Sequence, residues 1–588
     1  MSLLHTFPET AAPVYNRGVA SFRRIFRSSE AALILLAIVA GAAAGTLMIL
    51  QNRIAHGLQS LIYGVGGTSL SAAPSVDPLR LIALPLFGLL LGFGSRAAIR
   101  RWRTPVDVVE ANALHGGAIP WRDSVIVCIQ TLCSNGAGAS VGLEAAYAQA
   151  GGGLASVVGQ WLRLRRSDMR IMVGAAAGAG IGAAFSAPLT GAFYAFEIVI
   201  GAYTPAAMAP VGAACLTAAL LVRAVGIEPY VVALPGAKAL TTADYLLYAG
   251  LGIVCAVVGI AVMRAVTFIE ARVRASPLPE TWRPALGGLL LIPLAMITPQ
   301  VLSAGHGALH LDLGVDVALR FILLVLLVKI AASAISLGFG FRGGLFFASL
   351  FIGSLVGQLF AGAVARIHGL PPVDASDAAL IGMAAMAVAI IGGPVTMSML
   401  VLETTHDFAL TSVAVTAALC ASTFVRETFG FSFSTWRFHT RGENIRSARD
   451  IGWVRALTVG KMMQRGVGTA SAAMPVAEFR RRFPLGSTSK VVLTDADGRY
   501  FGIVETAKAF DSGIVEGAEV GGVAILRDVA LKPSQDLRSA IRMFDISEAD
   551  YLAVVDDERM VLGTLSERFV HRRYADEVEK AQREMFGE

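Results

Sequence analysis

Residues 187–197 read APLTGAFYAFE and residues 393–403 read GPVTMSMLVLE. In each, a proline precedes an aliphatic residue and a threonine, and a glutamate follows nine residues after the proline (Pro188 to Glu197, Pro394 to Glu403). A second pair lies upstream in the same order. GLEAAYAQAGGGLASVVGQ at 142–160 and GLFFASLFIGSLVGQ at 344–358 both open on Gly-Leu and close on Val-Gly-Gln. The offset is roughly 200 residues in both pairs. Two matches in one order describe a duplicated unit, with repeats over about 31–267 and 284–425. The matched segments are apolar and carry Gly or Pro. Interrupted apolar segments at corresponding places in two halves mark the substrate path of membrane transport proteins.

The rest of the chain agrees with a membrane setting. Of 588 residues, 55% are hydrophobic and 16% charged, where soluble domains carry about 25% charged residues. Apolar stretches long enough to cross about 30 Å of hydrocarbon occur near 31–50, 80–98, 205–223, 243–267, 284–300 and 317–337. Between them, 124–135, 139–160, 171–188, 344–361, 378–391 and 394–403 read as too short or too Gly-broken to be simple spans. Irregular backbone survives at membrane depth only when buried in protein or lining a wet cavity. Residues 1–30 are polar, with Arg17, Arg23, Arg24 and Arg27 before the first span. That arrangement keeps an N-terminus cytoplasmic and is not that of a cleavable signal peptide. The net charge of +6 follows from basic residues flanking spans, so no nucleic-acid partner is implied. Cys128, Cys133, Cys215, Cys255 and Cys420 all lie in apolar stretches without paired spacing and read as small buried hydrophobes.

From about Arg446 the composition becomes that of a soluble domain. VVLTDADGRYFGIV (491–504) is a strand, an Asp-Gly turn and a strand, and YLAVVDDERMVLGTL (551–565) repeats the plan. Amphipathic stretches precede both, at 475–483 and 534–544. Two β-α-β-β-α units are expected, over about 456–512 and 520–575. The division is thus a segment 1–30, a membrane domain 31–442 and a tail 443–588.

Three Gly- or Pro-bearing segments sit just before helices: Arg103-Thr-Pro-Val-Asp107, Gly142-Leu-Glu-Ala-Ala146 and Gly343-Gly-Leu-Phe-Phe347. Helix N-termini present unpaired N–H groups and a partial positive charge, so they hold anions without gripping them as a buried Lys would. Their other reading is as helix breaks needed for packing. Glu144 is the only Asp, Glu, Lys, Arg or His between Asp123 and Arg163. An isolated carboxylate at membrane depth is costly and marks function. At a helix start it can occupy the anion's own site and swing away on protonation. Glu197 and Glu403 end apolar segments as a repeat pair and read as structural hydrogen-bonding carboxylates. No nucleophile–base pair, metal cluster or phosphate loop is legible in the tail, so no enzyme is expected and no cofactor.

On these motifs the chain resembles the CLC family of chloride channels and proton-coupled chloride transporters over about 30–442, and the tail resembles the paired cystathionine-β-synthase-type (CBS) domains many of them carry. The family's Gly-Arg/Lys-Glu-Gly-Pro is similar to Gly142-Leu143-Glu144-Ala145-Ala146, which keeps the gating glutamate and loses the basic residue and the Gly-Pro. Gly343-Gly344-Leu345-Phe346-Phe347-Ala348 resembles its Gly-Gly-Ile-Phe-x-Pro, implying that amides near Leu345 and Phe346 face the anion. Ser186-Ala187-Pro188-Leu189-Thr190-Gly191 with Glu197, and Val401-Leu402-Glu403-Thr404-Thr405, match two further motifs. The family's Gly-Ser-Gly-Ile-Pro is absent. By spacing its place falls on Arg103–Asp107, with Thr104 supplying the hydroxyl for a bound anion. The tyrosine of the last membrane helix is replaced within Gly430-Phe-Ser-Phe-Ser-Thr-Trp436, where alignment sets Ser434 beside Phe433.

Ile198 stands where proton-coupled members usually carry a second, proton-relaying glutamate, so that relay position is lost here. Channel members have an aliphatic residue there, yet some transporters manage without the glutamate, and both readings stay open. In the tail, the ribose-binding Asp of nucleotide-binding CBS domains falls near Lys508 and Phe569, neither of which can replace it. The resemblance implies an all-α membrane fold built on an internal inverted repeat of broken, tilted helices, followed by an α+β CBS pair. It further implies a homodimer moving chloride and other small anions through a bacterial inner membrane, with both termini cytoplasmic and voltage-gated channel activity or H+/Cl− exchange. The contrasting expectation is a membrane-anchored sensor acting through its tail.

Overall fold

The computed structural model describes residues 29–65, 69–102, 104–226, 241–309, 318–433, 435–436, 458–570 and 572–573. Ser434, most of 1–30 and the junction expected at 442/443 lie outside the described residues. Two compact units divide the chain, 1–450 and 451–588.

The first unit is helical. In chain order it contains α1 (Glu30–Tyr63), α2 (Ala83–Arg101), α3 (Val108–Leu114), α4 (Trp121–Gly136), α5 (Glu144–Leu162), α6 (Arg166–Phe185), α7 (Pro188–Tyr194) and α8 (Pro205–Ala224). It continues with α9 (Thr242–Ala275), α10 (Arg283–Ile297), α11 (Leu319–Gly338), α12 (Phe346–Val364), α13 (Ala375–Ile391), α14 (Pro394–Thr405) and α15 (Phe408–Thr428). Seven helices among the described residues are long and apolar enough to cross a membrane. The fold is thus a multi-pass membrane one.

Helix ends are set by local chemistry. Ser29 caps α1 through its side chain and Gly64 ends it with φ at 68°. Thr241 and Asp244 form a capping box at α9, and the Asp374 and Asp407 carboxylates cap α13 and α15. Each side-chain cap satisfies amides that the helix itself leaves unpaired, while the Gly64 amide donates to the Ser60 carbonyl.

The duplication is visible as matched helices: α5 to α8 correspond in order to α12 to α15. The span expected at 284–300 is shorter than read, for α10 has 15 residues and falls among the shorter apolar helices, and two further expectations need correction. Segments 139–160 and 344–361 do not break, for α5 and α12 are 19 residues each. Their glycines are contact points. A Cβ at Gly151 would overlap the Ala176 carbonyl of α6, and one at Gly357 would overlap the Ala378 carbonyl of α13. Small residues let membrane helices approach backbone to backbone. The second correction is α15, a 21-residue apolar span missing from the expected set.

The second unit is α+β. β1 (Thr469–Ser471), β2 (Lys490–Thr494) and β3 (Tyr500–Glu505) form one sheet, β1 parallel and β3 antiparallel to β2, while β4 (Tyr551–Val555) and β5 (Val561–Ser566) form an antiparallel pair. Helices Val476–Arg482 and Leu537–Ser547 precede the two hairpins. Both copies of the unit are therefore present, but the second is reduced. Its first strand shrinks to the single parallel bridge Leu531–Val554.

Candidate functional site

The loops leading into α5 and α12 cross each other. The Gly142 amide donates to the Gly344 carbonyl at 2.9 Å, and the Gly344 amide donates back to Gly142 at 3.2 Å. This exchange sets the N-termini of two corresponding helices, one from each repeat, side by side. Glu144 opens α5 and reaches across to α12, where its Oε1 accepts the Phe347 amide at 3.1 Å. Its Oε2 is buried without a hydrogen-bond partner, and the residue is 4% exposed. A carboxylate therefore sits at a site of unpaired amides, where a free anion would also bind.

The carboxylate rests directly over Gly142, for a Cβ at that position would overlap Oε2. The backbone there has no positive φ, so alanine is tolerated conformationally and acts through the carboxylate alone. Gly142→Ala is expected to unseat Glu144 and raise anion flux at neutral pH by about tenfold, one charge-assisted hydrogen bond's worth. Vesicle efflux compared at pH 7 for the two forms checks this.

Glu144 lines a cavity of about 670 Å³ whose wall also includes Thr104, Tyr194, Leu345, Phe346 and Phe433. The structure thus brings together every expected anion-site residue that it describes. Thr104 is exposed on this wall. Its loop is held by Asp123, which accepts the Val106 amide at 3.2 Å, and by Gln149, which donates to the Val106 carbonyl at 3.3 Å. Asp107 then caps α3 through the Glu110 amide. Phe433 is buried and adds only an apolar surface.

Ile198 stands apart from that wall. It lies on a π-helical turn, Ala195–Ile200, that continues α7, and its Cδ1 would lie 3.2 Å from a Cβ built on Gly393. No titratable atom occupies that position.

Glu197 and Glu403 make reciprocal contacts. Glu197 accepts the Val395 amide (3.2 Å), the Thr396 amide (2.9 Å) and the Thr396 hydroxyl (2.7 Å) at the start of α14. Glu403 accepts the Leu189 amide (2.8 Å), the Thr190 amide (2.8 Å) and the Thr190 hydroxyl (2.7 Å) at the start of α7. Each glutamate caps the helix that carries its counterpart, so the contact is isologous within one chain.

Lys329 escaped the sequence reading. It is fully buried in α11, its Nζ donating to the carbonyls of Val301 at 3.2 Å and Ser303 at 2.9 Å. The Ser303 hydroxyl accepts from Gln59 and Asn135, and Asn135 Nδ2 also donates to the Val141 carbonyl. A buried lysine thereby steadies the loop that delivers Gly142 and Glu144. The available signal was an isolated lysine between Arg320 and Arg342 in an otherwise apolar run. In the tail, Lys508 pairs with Glu505 at 3.1 Å and Phe569 is exposed.

Comparison with known proteins agrees with this geometry. The family described as Voltage gated chloride channel matches residues 98–426. The putative chloride channel protein ClcB-like of Ralstonia nicotianae is 31% identical over 328 residues, which are 55% of this chain and 76% of that protein. The voltage-gated ClC-type chloride channel ClcB of Escherichia coli O81 is 25% identical over 371 residues, 61% of this chain and 87% of that one. The chain belongs to the voltage-gated chloride channel (CLC) family, whose members are channels and transporters and not enzymes. Its fold is shared by a slow cyanobacterial Cl−/H+ antiporter, with a TM-score of 0.61 at 22% identity over 70% of this chain and 97% of that one. A eukaryotic CLC transporter gives 0.57 at 18% identity over 91% and 97%.

Proposed function

We propose that this protein is a chloride permease with a channel-like path, gated by Glu144 and working as a homodimer with one path per subunit, both termini being cytoplasmic. The observation that carries the reading is the Glu144 carboxylate seated on the Phe347 amide in the wall of a cavity. An anion arriving from the cavity competes with that carboxylate for the same helix N-terminus. Protonation removes the carboxylate's charge, weakens its hold, and opens the way. Thr104, the Leu345–Phe346 segment and the residues at Phe433 and Ser434 line the route in this reading.

The channel-like half of the proposal rests on Ile198, which has no proton to pass. A second reading, H+/Cl− exchange, is favoured by the intact protonatable residue at Glu144 and by the fold shared with a slow cyanobacterial Cl−/H+ antiporter. One experiment separates them. Proteoliposomes holding a chloride gradient in lightly buffered medium are expected to release chloride without proton uptake. Proton movement uphill against its own gradient, driven by chloride, establishes exchange instead. Absence of chloride flux overturns both.

A further inference from the structure

Tyr194 is the last residue of α7, immediately before the π-helical turn, and it lines the same cavity as Glu144. It is 8% exposed, and its ring packs against Phe346 with centroids 6.1 Å apart at 54°. The polar end is unusual. A buried tyrosine hydroxyl normally finds a hydrogen-bond partner, and Tyr63, Tyr147 and Tyr500 of this chain all do. Among the described residues no group pairs with the Tyr194 hydroxyl, including the neighbouring cavity carboxylates Glu144 and Asp107. Nor is that oxygen one of the buried atoms left without a partner. It therefore opens onto the cavity space.

We propose that the Tyr194 hydroxyl is a hydrogen-bond donor to the anion in this cavity. The proposal rests on the anion-transport reading above and names a further contact for it. The chemistry suits a permeating ion. A phenol is neutral and donates one hydrogen bond, so it stabilises an anion without the grip of a fixed positive charge. The neighbouring walls leave the role open. Phe346 and Phe433 have no side-chain donor, and Thr104 lies on a separate loop ahead of α3. The aromatic contact with Phe346 orients the phenol next to the helix start that Glu144 already occupies. Tyr194 would be a binding residue that sets affinity.

Tyr194→Phe removes one oxygen and leaves the ring that packs on Phe346, so the fold is expected to persist, as a melting curve of the purified full chain verifies. Chloride binding by titration calorimetry is expected to weaken about tenfold, on the order of one hydrogen bond to a charged group. The chloride concentration for half-maximal flux in vesicles should rise in parallel, with the saturated rate within about twofold. A merely structural role lowers the saturated rate or the melting temperature instead. Unchanged chloride affinity in the variant overturns the proposal while the anion-transport reading stands. If the native chain binds chloride, loses affinity on Tyr194→Phe, and yet conducts no anion, the contact holds and the transport reading fails. No chloride binding by the native chain refutes the contact outright.

Discussion

Glu144→Gln is expected to raise anion flux at neutral pH by roughly ten- to a hundredfold and to flatten its dependence on pH. The size follows from what is removed. A hydrogen bond from an amide to an ionised carboxylate is worth about 1.5–3 kcal/mol, and each 1.4 kcal/mol is tenfold in occupancy. The native carboxylate accepts the Phe347 amide at 3.1 Å, and in the proposed gating it places a negative charge on the anion's route. The sign is also fixed. Acid neutralises the native residue, so native flux should increase as pH falls. Glutamine has no charge to lose, so its flux should start high and stay level. Efflux from vesicles over pH 5 to 8 is the measurement. A glutamine form with native rate and native pH slope removes Glu144 from gating.

The second large effect is expected in stability. Glu403→Ala strips acceptors from two amides and one hydroxyl at the start of α7, and Glu197→Ala does the same to α14. Thr190 and Thr396 are fully buried, so water does not easily take over. Unsatisfied buried groups cost about 1–3 kcal/mol each. Partial relaxation brings the expected total to about 3–5 kcal/mol for either change. Glutamine at either position keeps one acceptor oxygen and should lose less. The double alanine form should cost less than the sum, because the second cap then acts on an interface already loosened. Thermal unfolding of the detergent-solubilised protein reads all five. Unaltered melting would mean that the caps are incidental.

Much of this was legible in the sequence, for physical reasons that differ by element. The spans were readable because 18 or more apolar residues have few other destinations. The repeat was readable because Pro188–Glu197 and Pro394–Glu403 keep their spacing. α15 was missed because Thr411, Ser412 and Thr416 dilute its apolar character. In the folded helix their hydroxyls turn back to the carbonyls of Asp407, Ala409 and Ser412, which spares the membrane a polar surface. The glycines of α5 and α12 were read as breaks because a sequence does not show which neighbour a missing side chain admits. The crossing of Gly142 with Gly344 joins residues some 200 apart, and no local pattern announces it. The candidate residues were found one at a time. That Thr104, Glu144, Leu345, Phe346 and Phe433 share one cavity needed the fold.

The crossing of Gly142 and Gly344 also sets corresponding positions opposite one another. Two residues beyond each glycine stand Glu144 and Phe346, so an acid in one half faces an aromatic in the other. Had both halves kept the acid, two carboxylates would meet across the gap, and their repulsion would force them to share a proton. Phe346 prevents this. In the proposed function one half supplies the swinging group and the other a stationary seat, so a frame with near-symmetric halves would carry a valve with a single moving part.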